Sequence, residues 1–321
     1  MNHMTGAKWL LAFGCIAPLA CAPASVLAQK AATGPSASVQ RGIKLVETGH
    51  CKEALPLLTR GLSRITDKSL RYHAQMATVR CAMALDQAKT AADTLISLAN
   101  ESPDDPEVLY IQTHFFSEMG MRAAQRLQQR DPDSYQAKRL QAESLESEGK
   151  NEQAAAIYNE ILKTHPNVPG IHYHLGQIAL AEAGPNGNTD AAKAEFEKET
   201  QVDPTNASAQ FVLGELDRRS GDFSGAINHF TRAAKLDVGF SEAYLALGMS
   251  LTASGKFAEA KAPLEHYVSL EPNDPAGHYQ LAIVYARTGD KPAAEREMAL
   301  QRQAAARHGA TDNTQGHSVN E

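Results

Sequence analysis

Alanines 192, 226, 260 and 294 each lie 34 residues from the next, and Gly221, Gly255 and Gly289 keep the same interval. This period constrains the fold more than any other feature of the chain. A unit of that length cannot bury its own apolar face, so the core has to be built by stacking neighbours. The surrounding pattern recurs in phase. Leu213-Gly214 precedes Gly221-Asp222-Phe223, Leu247-Gly248 precedes Gly255-Lys256-Phe257, and Leu281-Ala282 precedes Gly289-Asp290. Pro132, Pro166, Pro204 and Pro272 close units at spacings of 34, 38 and 68.

Each recurring position has a mechanical reason. Small residues at Gly176, Gly214, Gly248 and Ala282 let two helices of a unit approach closely. The glycines that follow suit the end of a first helix, where a left-handed backbone costs glycine least. The prolines end a second helix, because they lack an amide hydrogen and clash with the preceding turn. Each unit therefore reads as helix A, turn, helix B, which agrees with a chain that is 43% apolar but only 6% aromatic.

The pattern resembles the tetratricopeptide repeat (TPR) family, whose 34-residue unit has a small residue at position 8, alanine at 20 and proline near 32. The resemblance implies an all-α, right-handed superhelical solenoid that binds partners along a concave side lined mainly by A helices. Extending the phase gives about eight units: 35–68, 69–105, 106–134, 135–168, 169–206, 207–240, 241–274 and 275–308. The early units are degenerate. The second turns on Asp86-Gln87-Ala88 without glycine, and the third is short, its B helix squeezed between Met121 and Arg130. The fifth carries four extra residues around Gly184-Pro185-Asn186-Gly187-Asn188. Residues 309–321 are polar and aperiodic and read as a disordered tail.

Residues 1–28 have the composition of an export signal: Lys8, the apolar run Trp9 to Ala17, and Val26-Leu27-Ala28 before Gln29. Residues 29–34 are a short lead. An uncleaved anchor and a lipid at Cys21 are the alternatives; Pro18 and Pro23 count against the first, and the proline in Pro18-Leu19-Ala20-Cys21 against the second. Together with the alanine-rich repeats, the signal resembles exported bacterial members of the family, periplasmic or secreted. Removing 1–28 takes away Lys8 and no acid, so the charge goes from −6 to 30 − 37 = −7. That balance does not suit a nucleic-acid partner, whose phosphates require a basic surface.

Counted from each unit start, positions 5 and 9 face the groove. Tyr173, Phe211, Leu245 and Tyr279 would form an apolar stripe there, flanked by Arg218, Arg219 and Arg287, with Tyr110 beside His114 further along the chain. Aromatic anchors with arginines suit a peptide or a partner helix; the same side chains would equally serve packing between repeats. The Lys and Asn at positions 5 and 9 by which chaperone-binding members of the family hold a C-terminal carboxylate occur together in no unit.

Two cysteines, Cys51 and Cys81, remain after processing. They fall at the start of a B helix and near the end of the next A helix, ends that stacking brings together, so a disulfide between them is expected, with two small buried thiols as the alternative. There is no HExxH, CxxC, GxSxG or P-loop, and nothing calls for a cofactor. His172 and His174 are too close in sequence to share one helical face as metal ligands. The function this implies is a non-enzymatic, exported scaffold for a protein or peptide partner. The alternative is a membrane-anchored or lipidated envelope assembly factor that acts by oligomerising, with membrane contact only if the N-terminal segment is retained or Cys21 is lipidated.

Overall fold

A computed structural model of the protein describes residues 34–184 and 189–315, with side chains through 307. The export segment, Cys21 and residues 29–33 lie outside the described residues. The chain divides into two compact units, one through Gln125 and one from Arg126. Among the described residues there are fifteen helices and no strand.

The first unit holds α1 (Pro35–Glu47), α2 (Cys51–Leu62), α3 (Lys68–Ala84), α4 (Ala88–Glu101) and most of α5 (Pro106–Arg130). Its core is formed by Val39, Leu58, Val79, Leu95, Leu98 and Phe115 with their neighbours. The α1 and α2 backbones approach closely enough that a Cβ at Gly42 would lie 2.9 Å from Leu58 and one at Gly61 2.2 Å from Val39 Cγ2. Asp67 begins α3 by accepting the Leu70 amide at 2.7 Å, and Asp105 begins α5 by accepting those of Glu107 and Val108. A disulfide joins Cys51 to Cys81 with the Cα atoms 5.0 Å apart, tying α2 to α3.

Residues 106–134 do not form the short hairpin that the repeat phase predicts. α5 is one helix of 25 residues, continuous through Gly120 and Met121. Gly120 is not among the glycines with positive φ, and no proline interrupts Phe115 to Arg130. Nothing in the stretch forces the backbone out of the helix, so it propagates. The boundary between the two compact units falls inside this helix.

The second unit contains hairpins α6/α7 (Tyr135–Ser147, Asn151–Thr164), α8/α9 (Ile171–Ala183, Asp190–Val202), α10/α11 (Ala207–Ser220, Phe223–Leu236), α12/α13 (Ser241–Ala253, Phe257–Leu270) and α14/α15 (Pro275–Thr288, Lys291–Gln315). With α1/α2 and α3/α4 this makes seven hairpins and one long helix among the described residues, where eight hairpins were expected. The small residue of each A helix faces a large side chain of the B helix: Gly176 lies against Phe196, Gly214 against Phe230 and Gly248 against Leu264. The A-to-B turns close on a left-handed residue, φ 74° at Gly255 for example, and the glycine-free turn puts Asp86 at φ 55°. α15 continues to Gln315, so the stretch 309–315 of the expected loose tail is helical. No proline stands after Pro292, and Ala304-Ala305-Ala306 carries the helix onward.

Candidate functional site

Polar side chains first fix how the helices of the second unit meet. His172 Nδ1 lies 2.7 Å from Glu195, Gln210 Oε1 2.8 Å from His229 Nδ1, and His278 Nδ1 2.7 Å from Glu297. Allowing for the four extra residues of the fifth repeat, each pair joins the fourth residue of a repeat to its twenty-third. In 241–274 the twenty-third residue is Pro263, which has nothing to offer, and Tyr244 donates instead to the Ala234 carbonyl at 3.0 Å. The pairing lies at a constant offset that the sequence displays, but it was not recognised there.

Two buried carboxylates extend this framework. Asp217 receives Lys193 at 2.5 Å, with His229 Nε2 3.7 Å away. Gly225 makes room for it, because a Cβ there would stand 2.3 Å from Asp217 Oδ2. Glu199, with no exposed surface, accepts the amides of Gly170 and Tyr173 and the side-chain amide of Asn206. His174 stacks on Tyr158 and bonds to Glu146 at 2.9 Å, so it serves a different contact from His172. Burial, reinforced by the carboxylate each donates to, raises the phenols of Tyr158, Tyr267 and Tyr285, the last to about 12. These three hydroxyls stay protonated at neutral pH and cannot act as bases.

Most of the predicted stripe packs inward. Tyr173 sits half-buried with its ring 5.5 Å from Phe196, and its hydroxyl accepts from Gln177. Phe211 lies between Phe230 and Phe240 at 5.6 and 4.9 Å. Leu245 packs in the same cluster as Phe211. These side chains turn onto the B helix of their own hairpin, Tyr173 onto Phe196 and Phe211 onto Phe230, and Phe211 also meets Phe240 just ahead of the next A helix. Arg218 is committed to Glu215 at 2.7 Å. Arg219 is exposed, and Arg287 lies over the Phe257 ring at 5.6 Å. Tyr110, in the first unit, is exposed on α5 with its ring 4.3 Å from His114.

Tyr279 differs from the rest of the stripe. It is 48% exposed and lines an open cleft of about 410 Å³ with Ala282, Ile283 and Ala286 on α14 and Ala294, Glu295, Met298 and Arg302 on α15. Ala282, Ile283, Ala286, Ala294 and Met298 make the lining mostly apolar, and Glu295 and Arg302 bring a carboxylate and a guanidinium from α15. Position counting reached Tyr279 and Ile283 but missed the α15 wall. The available signal was the row of small and branched residues Ala282, Ile283 and Ala286 on α14, over which no further helix packs among the described residues. Among the described residues no group of three His, Cys, Asp or Glu side chains could hold a metal ion, and no helix is long and apolar enough to cross a membrane.

Two family models described as tetratricopeptide repeat match the chain, one over residues 217–278 and the other over 121–169, 140–184 and 182–239. The chain belongs to the tetratricopeptide repeat family. The matched stretches run from the second half of α5 to α14, where the TPR spacing of glycine, alanine and proline is most regular. Anaphase-promoting complex subunit 3 of Schizosaccharomyces pombe (strain 972 / ATCC 24843) is 22% identical over 195 residues, 59% of this chain and 29% of that protein. The chain thus spans about three-tenths of the curated relative it matches. Among solved structures, a crystal structure of MamA covers 53% of this chain and 96% of its own at 21% identity and a TM-score of 0.46. YrrB, described as a TPR protein with an unusual peptide-binding site, covers 60% of this chain and 98% of its own at 19% identity and a TM-score of 0.49. As a TPR protein, the chain has the fold of a protein-interaction scaffold.

Proposed function

We propose that this TPR protein is an exported, non-catalytic scaffold that binds a protein or peptide partner on its A-helix side, with the cleft between α14 and α15 as the principal contact. The observation that carries this reading is the exposed, apolar cleft around Tyr279 and Ile283. Such a cleft takes an apolar side chain of a partner, and Arg302 on its α15 side offers a guanidinium to a partner carboxylate. Tyr173, Phe211 and Leu245 serve packing between helices and not contact with a partner. The Cys51–Cys81 bond supports export, because structural disulfides persist in oxidising compartments.

Crosslinking and capture from the native compartment tests the reading, with wild type set against Tyr279→Ala and Ile283→Asp. A partner captured by wild type and lost from both variants supports it. Identical capture by all three would remove the cleft from the account and leave only the fold.

A further inference from the structure

The α14/α15 cleft repeats, one period on, a seat that the protein itself fills. Its α15 side is Ala294, Glu295, Met298 and Arg302, which stand 34 residues after Ala260, Lys261, Leu264 and Val268 of α13. Its α14 side is the α12 row Leu245, Gly248, Met249 and Thr252 moved on by the same 34. Over the earlier seat lies α14. Its Gly277 approaches Val268 so closely that a Cβ would stand 3.0 Å from that side chain. Leu281 shares a buried cluster with Leu264, and the Tyr285 ring lies 5.0 Å from Lys261 Nζ. Because 277 meets 268 and 285 meets 261, α14 runs antiparallel to α13. The seat is therefore shaped for a helix, which meets it through residues at i, i+4 and i+8.

The two seats differ in charge. Where α13 has Lys261 and Val268, α15 has Glu295 and Arg302. Both are exposed, and neither has a hydrogen-bond or ion-pair partner among the described residues. A helix lying on α15 as α14 lies on α13 puts its residue i over Arg302, i+4 over Met298 and i+8 over Glu295. Complementarity then requires an acid, a large apolar residue and a base, in that order. The order also suits the occupant's own dipole, with the acid toward its N-terminus. A second copy of this chain, adding its α1 as a further A helix, does not fit. Its residues in the same repeat phase are Ala37, Arg41 and Leu45, which would set a guanidinium over Met298 and a leucine over Glu295.

We infer that the cleft receives one amphipathic helix of another protein, antiparallel to α15, with Asp or Glu at i, a large apolar residue at i+4 and Lys or Arg at i+8. This rests on the reading of the cleft as the partner site and adds the form and charge order of the segment that enters it.

Fluorescence anisotropy with the full-length protein tests it. The probe is a labelled peptide of residues 274–289, held helical by a lactam bridge remote from positions 277, 281 and 285 so that ordering does not mask binding. One version carries Gly277→Glu and Tyr285→Lys, the other Gly277→Lys and Tyr285→Glu. The first should bind wild type about tenfold more tightly than the second and lose binding to Ile283→Asp. The doubly substituted protein Glu295→Lys/Arg302→Glu should reverse the preference. Equal affinity of the two peptides, or a preference that survives the charge reversal, would overturn the inference. So would failure of both peptides to bind wild type; if partner capture is still lost from Tyr279→Ala and Ile283→Asp, that failure removes the helix and leaves the cleft as the partner site.

Discussion

The Glu199 carboxylate accepts the backbone amide of Gly170 at 2.8 Å across 29 residues of chain. Helix α8 has no side-chain cap of its own, because the residue before it is Gly170 at φ 87°. A glutamate on α9 supplies the cap, and its negative charge also opposes the positive end of the α8 dipole. The same carboxylate holds Asn206, whose own side-chain oxygen caps α10 at the Ala209 amide. One buried group thus sets the starts of two successive A helices.

Glu199→Ala removes that cap and leaves buried donors without an acceptor, which costs about 2–4 kcal/mol of stability. Glu199→Gln keeps one acceptor and should lose less. Chemical unfolding of the three proteins checks this; an alanine variant within about 0.5 kcal/mol of wild type, the scatter of ordinary surface changes, would contradict it.

Two glycines of one repeat separate backbone strain from packing. Gly255→Ala meets open space, but φ is 74°, so the cost is about 1 kcal/mol from conformation alone. Gly248→Ala has a helical backbone but puts its Cβ 2.4 Å from Leu264, and overpacking there costs roughly 1–3 kcal/mol. Adding Leu264→Val should recover part of the Gly248→Ala loss and none of the Gly255→Ala loss, read as the unfolding midpoint.

How far the fold was legible follows from which constraints are local. Gly221, Gly255, Gly289 and the unit-closing prolines act on their own backbone, so they are visible in sequence wherever they stand. The continuity of α5 was not visible, because a helix that fails to turn shows no special residue and Gly120 fits either outcome. The Glu199 cap depends on a contact across the insertion in 169–206, and no local pattern announces it. Tyr173 and Phe211 stand at position 5 of their units, but the position alone does not say whether the side chain turns to the groove or onto the B helix of its own hairpin.

His229 makes the second unit sensitive to acid. Burial lowers its pKa below the ordinary histidine value, while Asp217 works in the opposite direction. A histidine depressed in the folded state binds its proton more readily in the unfolded chain. Its contribution is therefore complete above the unfolded value, about 6.5, and is lost as pH falls below it toward the folded pKa. Unfolding midpoints measured from pH 7.5 down to 5 should fall more steeply for wild type than for His229→Gln. Equal slopes would show that this imidazole does not couple stability to pH.

Reducing the Cys51–Cys81 bond releases a loop closed over a separation of 30 residues. The chain-entropy relation puts its contribution at roughly 3–4 kcal/mol. Dithiothreitol should lower the melting temperature of wild type and leave Cys51→Ser/Cys81→Ser unaffected. Two free thiols in protein purified under oxidising conditions would contradict the bond itself.

The central claim is that partners bind at the α14/α15 cleft and that Tyr173 and Phe211 serve packing. Hydrogen–deuterium exchange on the protein with and without its captured partner tests this most directly. The account predicts slowed exchange in peptides spanning Tyr279–Ala286 and Ala294–Arg302, with α8 and α10 unchanged. Protection concentrated on α8 and α10, with the last hairpin exchanging as in the free protein, would contradict it.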